Sequence, residues 1–120
     1  MIRIAMWSGP RNISTAMMRS WENRTDTVVV DEPLYGPYLA ATGKKHAAWQ
    51  ETIAAQGADY DAVIGGLCQS EKAAEIFYQK HMTHHLLPEM SVDFVGHFRN
   101  AFLLRNPNEV LASYLGNHPR

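Results

Sequence analysis

Seven consecutive residues, Gly9-Pro10-Arg11-Asn12-Ile13-Ser14-Thr15, bring together two turn-formers, a permanent cation and two hydroxyls. The natural target of such a set is a phosphate-like anion. A helix start leaves its first N–H groups unpaired and carries partial positive charge, so a loop that feeds a helix is a ready anion cradle. The nucleotide-triphosphatase loop G-x-x-x-x-G-K-[ST] does not fit: with Gly9 as its first glycine, the second falls on Ser14 and the lysine on Thr15. Arg11 is the cation inside the loop, which points to a phosphorylated ligand other than ATP. A second pair of this kind is Arg105, with Ser113 nearly two helical turns into the next element. A guanidinium offers forked, fixed charge to a phosphate, and a hydroxyl adds a donor. Asp31-Glu32 and His81 are the titratable groups near the ends of apolar runs.

The elements that must position these groups read as alternating strands and helices. Ile2 to Trp7 is a short buried strand, Ser8 to Ile13 a turn, and Ser14 to Asn23 a helix, with Ala16, Met17 and Trp21 on its apolar side. Thr27-Val28-Val29-Val30 is a β-branched run and the second strand. Strand, helix, strand in this space implies a parallel pair with a right-handed crossover. Asp31-Glu32-Pro33 then lies at the carboxyl edge, where ligands of open α/β sheets collect. Pro33 to Gly43 mixes aromatics with breakers and reads as a loop with a helical turn; Tyr35, Tyr38 and, further on, Trp49 hint at an aromatic or apolar pocket. His46 to Gln56 is helical and ended by Gly57, and Asp59 or Asp61 caps a helix through Leu67. Ile76-Phe77-Tyr78 starts a third strand that ends near Lys80. His81, His84 and His85 have the spacing of one helix face, but without a partner carboxylate no metal site is expected. Pro88 to Phe98 is ambiguous, with room for one short helix. Ala101 to Leu104 is a fourth strand, and Asn106-Pro107-Asn108-Glu109 opens a last helix that Gly116 can stop.

Bulk composition narrows the function classes. At 120 residues the chain has room for one small domain, and 46% hydrophobic content provides a core. A formal net charge of -1 argues against general nucleic-acid binding, so any anion site is a local gathering of arginines. One cysteine, Cys68, excludes an internal disulfide and a cysteine metal cluster. No stretch approaches membrane-spanning length, and the apolar start is too short for a signal sequence. The expectation is a cytoplasmic protein with no membrane or nucleic-acid partner.

The first loop resembles the 5′-phosphosulfate loop of the sulfotransferases, which use 3′-phosphoadenosine 5′-phosphosulfate (PAPS). Pro10 and Arg11 match that loop's Pro and basic residue, and Ser14 and Thr15 match its two hydroxyls. Asn12 and Ile13 stand in place of the usual Ser-Gly. A β-branched residue resists positive φ, so either the path differs at Ile13 or no positive φ is needed there. The stretch FLLRNPNEVLASY is similar to the family's second nucleotide motif, in which Arg and Ser bind the 3′-phosphate; Arg105 and Ser113 match both types and separation.

The resemblance implies an α/β fold in three layers, a mainly parallel sheet with flanking helices, like the P-loop NTPases. It implies PAPS as cosubstrate, adenosine 3′,5′-bisphosphate as product, and a small-molecule acceptor hydroxyl or amine. Pro10, Arg11, Asn12, Ile13, Ser14 and Thr15 are then the 5′ cradle. Arg11 also faces the transferring sulfonate, and Arg105 and Ser113 hold the 3′-phosphate. Glu32 is the first choice of base, with Asp31 behind it and His81 as the alternative, because other members use a histidine. Lys80 is a weak candidate for reaching the cosubstrate or acceptor. The family's third nucleotide element, a loop bearing Gly and Lys, has no counterpart in this sequence, and members are usually longer. The expectation is therefore a single nucleotide-binding domain over residues 1–120, incomplete at its C-terminus. A homo-oligomer is compatible with the sequence. Two rivals stay open: a small-molecule kinase on the same fold, and a non-catalytic nucleotide-binding fragment.

Overall fold

A computed structural model describes residues 1–117. Four strands form one parallel sheet: β1 (Ile2–Ser8), β2 (Thr27–Asp31), β3 (Ile76–Met82) and β4 (Arg99–Leu103), in the order β2-β3-β1-β4. Five helices accompany them: α1 (Ser14–Glu22), α2 (Tyr35–Thr42), α3 (Trp49–Gln56), α4 (Tyr60–Gln69) and α5 (Pro107–Asn117). Short 3₁₀ turns cover Thr83–His85 and Asp93–His97. The α/β class expected from the alternating pattern is what the chain forms.

Burial explains the strand order. All five inner residues of β3, Phe77 to His81, are buried, as suits a strand flanked on both sides. β2 is only half-buried and forms one edge, and β4, more exposed still, forms the other. β1 and β2 are parallel, but β3 lies between them, so the first strand–helix–strand unit does not pair directly. Register is tight: Ile2 to Ser8 pair in sequence with Ile76 to Met82, and Thr27 to Asp31 with Ile76 to Lys80.

The helices lie on both faces. On one, α1 crosses β2 and β3, and Trp21 stacks on Tyr78 with ring centroids 5.2 Å apart. On the other, Leu67 of α4 joins Ala5, Trp7, Leu34, Phe77, Phe94 and Phe98 in one apolar cluster. Arg3 ties this face down, donating through Nε to the Leu67 carbonyl (3.0 Å) and through Nη2 to Ser70 (2.6 Å) at the end of α4.

Some boundaries depart from expectation. The segment after Pro33 is a full helix, α2, because Pro37 falls in its first turn, where a missing N–H costs no intrahelical bond. Gly43, at φ +69°, ends it. Gly36 is required by close packing: a Cβ there would lie 2.6 Å from the Gly57 carbonyl oxygen of the neighbouring helix end. α5 runs through Gly116 to Asn117; a glycine weakens a helix by about 1 kcal/mol without having to stop it. His81 belongs to β3, while His84 and His85 sit on the following turn, so the three do not share a helix face.

Candidate functional site

The carboxyl ends of the four strands bring the sequence-predicted residues to one edge. The loop from Gly9 to Ile13 leaves β1 and enters α1 at Ser14. Arg11 takes the left-handed conformation (φ 59°), whereas Ile13 has φ −86°. The positive φ that a glycine would supply is thus moved two positions back, and the β-branched side chain meets no conflict. Asn12 pins the loop at both ends of its amide: Nδ2 donates to the Leu103 carbonyl (3.0 Å), and Oδ1 accepts from the Ile13 N–H (2.8 Å). Ser14 is buried at the first position of α1, and Thr15 and Pro10 are exposed.

The second motif meets the first. Arg105 Nη1 donates to the Arg11 carbonyl, across 94 positions of sequence, and Arg11 Nη2 donates to the Ser113 carbonyl of α5 at 3.1 Å. The Arg11 guanidinium also lies over the Tyr114 ring, 5.2 Å from its centroid. Arg105 Nε is 3.6 Å from Glu109, so this carboxylate faces the arginine one turn back. Asn106 caps α5, accepting from the Asn108 N–H at 2.8 Å. Between the loop and α5 is a cavity of about 440 Å³, walled by Gly9, Pro10, Asn12, Arg105, Leu104 and Leu111 among others. A basic corner with an apolar wall is the chemistry a phosphorylated nucleoside needs.

Two strands away, the carboxylates surround a buried cation. Lys80, 4% exposed, donates to Asp31 Oδ1 (3.1 Å) and to Glu32 Oε2 (3.0 Å). Burial lowers the Lys80 pKa, but its hydrogen bonds to Glu32 and Asp31 and their negative charges outweigh it and leave a net rise, so the lysine is charged. Glu32 is held a second time through its backbone, whose N–H donates to the Lys80 carbonyl at 2.9 Å. Like Arg11, it has a left-handed backbone (φ 48°). Its other oxygen lies 3.8 Å from His85 Nε2. His85 is buried, stacked on Tyr35 at 4.9 Å, and its pKa is pushed down to about 3 by burial and then by the nearby His84, His81, Lys80 and His46.

His81 has a different setting. It is 1% exposed, stacks on Trp7 at 4.4 Å, and contacts Gln79 Oε1 through Nε2 at 2.9 Å. Burial pushes its pKa down to about 3. Tyr38 is buried in α2, with Lys44 Nζ donating to its hydroxyl at 2.9 Å, and Trp49 is half-buried in α3. What the sequence reading missed is the hub role of Lys80. The signal was a lysine in a run of buried strand residues, and its two acids could be matched to it only once register paired Asp31 with Lys80.

Two curated relatives from Arabidopsis thaliana, the branched-chain-amino-acid aminotransferase-like proteins 1 and 2, are 32% and 29% identical over 116 residues. The match covers 97% of this chain and 21% of each relative, so the chain spans about a fifth of their length. No solved structure matches. Among the described residues, no helix is long and apolar enough to cross a membrane. The family model described as "Sulfotransferase domain" matches residues 2–118, and the chain belongs to that family.

Proposed function

We propose that this chain binds PAPS and transfers its sulfuryl group to an acceptor hydroxyl or amine. The observation that carries the reading is the meeting of two distant arginines at one sheet corner: Arg105 bonded to the Arg11 carbonyl, and Arg11 bonded to the carbonyl of Ser113. A nucleotide with charge at both its 5′ and 3′ ends is the ligand that gives both a use. The cosubstrate supplies an activated sulfuryl group on a good leaving phosphate.

In this reading, Ser14, Thr15 and the first N–H groups of α1 hold the 5′-phosphate, with the helix start adding partial positive charge. Arg11 stabilises negative charge as it spreads over the sulfonate and the departing oxygen. Asn12 keeps the loop against β4, Ile13 carries it into α1, and Pro10 fixes its entry. Arg105 and Ser113 read the 3′-phosphate. Glu32 accepts the proton of the acceptor hydroxyl or amine at its carboxylate. It is preferred to His81 because it reaches the sheet edge, whereas His81 is enclosed between Trp7 and Gln79. Lys80 orients Glu32. The unpaired Cys68 is in keeping with a cytoplasmic setting.

Calorimetric titration of the chain with adenosine 3′,5′-bisphosphate, AMP and ATP tests the reading. The bisphosphate should bind at least about tenfold tighter than either, since one charge-assisted phosphate contact contributes about 1.5–3 kcal/mol. Preference for ATP would support a kinase instead. Bisphosphate binding without PAPS-dependent transfer, in this chain and in a longer form, would make it a nucleotide-binding module.

A further inference from the structure

The two oxygens of the Glu32 carboxylate are held in different ways. Oε2 accepts from Lys80 Nζ at 3.0 Å, a charge-assisted contact, whereas Oε1 lies 3.8 Å from His85 Nε2, too far for a hydrogen bond. We propose that His85 is a positioning residue, whose neutral ring turns Nε2–H towards Oε1 and keeps that oxygen as the one that accepts the acceptor's proton. This rests on the sulfuryl-transfer reading, in which Glu32 is the base.

The ring is fixed by its neighbours. His85 ends the turn after β3 and is 2% exposed. α2 closes on it with two residues one helical turn apart: Tyr35 stacks on it at 4.9 Å and 16°, and Tyr38 lies 5.0 Å away at 35°. His84 meets it edge-on at 4.6 Å. Rotating the imidazole would break these contacts together.

The proton's place follows from the surroundings. A neutral imidazole carries one N–H and one lone pair. Burying an N–H without an acceptor costs about 1–3 kcal/mol. Nδ1 is buried and has no hydrogen-bond partner among the described residues, whereas Nε2 faces a carboxylate. The N–H therefore belongs on Nε2. Burial, then the nearby His84, His81, Lys80 and His46, hold the ring neutral.

The two oxygens then differ as bases. Protonating Oε2 would break the Lys80 contact and take a partner from a buried ammonium. Protonating Oε1 gives up only a longer contact with a neutral N–H. As the acceptor's oxygen or nitrogen bonds to sulfur, its proton passes to Oε1. The sulfur–oxygen bond to the phosphate breaks, and its electron pair leaves on the phosphate.

Two measurements test this. In NMR of the chain with isotope-labelled histidine near neutral pH, His85 should show the Nε2–H tautomer, and Glu32→Gln should shift its Nε2 resonance. An Nδ1–H tautomer, or no response to Glu32→Gln, overturns the inference, and neither readout needs a substitution at His85. In PAPS-dependent transfer to 2-naphthol or tyramine, His85→Phe keeps a stacked ring but removes the N–H. It should lower kcat about 10–100-fold, the scale of a small misplacement, and leave KM for PAPS within about twofold. Combined with Glu32→Gln, His85→Phe should cost nothing further, because it acts through that carboxylate. Unchanged kcat, or an equal loss in both backgrounds, would make His85 part of the packing alone and overturn the inference. Transfer without the NMR response sinks this inference alone. The NMR response without transfer by the unaltered chain sinks the sulfuryl-transfer reading, and the proton role with it.

Discussion

Two charged clusters occupy the carboxyl edge of the sheet, and they are built in opposite ways. At β2 and β3, two carboxylates close on one buried ammonium at 3.0 and 3.1 Å. At β1 and α5, two guanidiniums are steered by main-chain carbonyls, with one exposed carboxylate, Glu109, 3.6 Å from Arg105. A carbonyl orients a cation without cancelling its charge; a carboxylate does both. The first cluster is therefore suited to fixing the position of Glu32, and the second to receiving an external anion. In the proposed function their difference separates two jobs, proton acceptance and nucleotide binding, that variants should affect independently.

The largest effect expected is on turnover. Glu32→Gln should slow transfer by about 10²–10⁴-fold, the usual contribution of a general base, while bisphosphate affinity stays the same. Unchanged turnover would remove Glu32 from the chemistry and return attention to His81. Next, Arg105→Ala should weaken adenosine 3′,5′-bisphosphate by about 10–100-fold and AMP far less, as loss of a charged hydrogen bond predicts. Equal losses for both nucleotides would mean that Arg105 only braces the Arg11 loop.

Acid should separate the regions by stability. His81 and His85 have folded-state pKa values near 3 against an unfolded value near 6.5. The native chain thus binds fewer protons than the unfolded chain between those pH values. The full stability is present above about 6.5 and falls as pH drops towards 3, at up to about 1.4 kcal/mol per unit for each histidine. Urea melts across this range check it, and His85→Phe should flatten the slope. A pH-independent midpoint between pH 4 and 6.5 would contradict the buried neutral histidines. The smallest effect is structural: Asp59→Ala removes the cap whose carboxylate accepts from the Asp61 and Ala62 N–H groups, costing about 1 kcal/mol with no change in nucleotide affinity.

The sequence revealed the regular parts best. Val28 to Val30 and Ala101 to Leu103 announced strands through local composition, Asn106 announced a cap, and of the two aspartates that could cap α4 it is Asp59 that does. Strand order was hidden, because parallel neighbours are chosen by tertiary burial and leave no mark between adjacent residues. α2 was misread for a related reason: Pro37 breaks helices from the interior but not from the first turn, and which applies depends on where the helix begins. The arginine motifs were legible as motifs. The Lys80 hub was not, since it exists only through register.

Glu32 keeps a side chain where the backbone turns left-handed, a conformation that asparagine or glycine adopts with less strain. An engineer seeking a hardier protein would therefore be drawn to glycine at this position. Such a variant would relax the backbone but withdraw one of the two carboxylates that hold the buried Lys80 ammonium, so it should melt earlier, not later. The awkward backbone at this single bend is held in place by the ion pair that its own side chain makes.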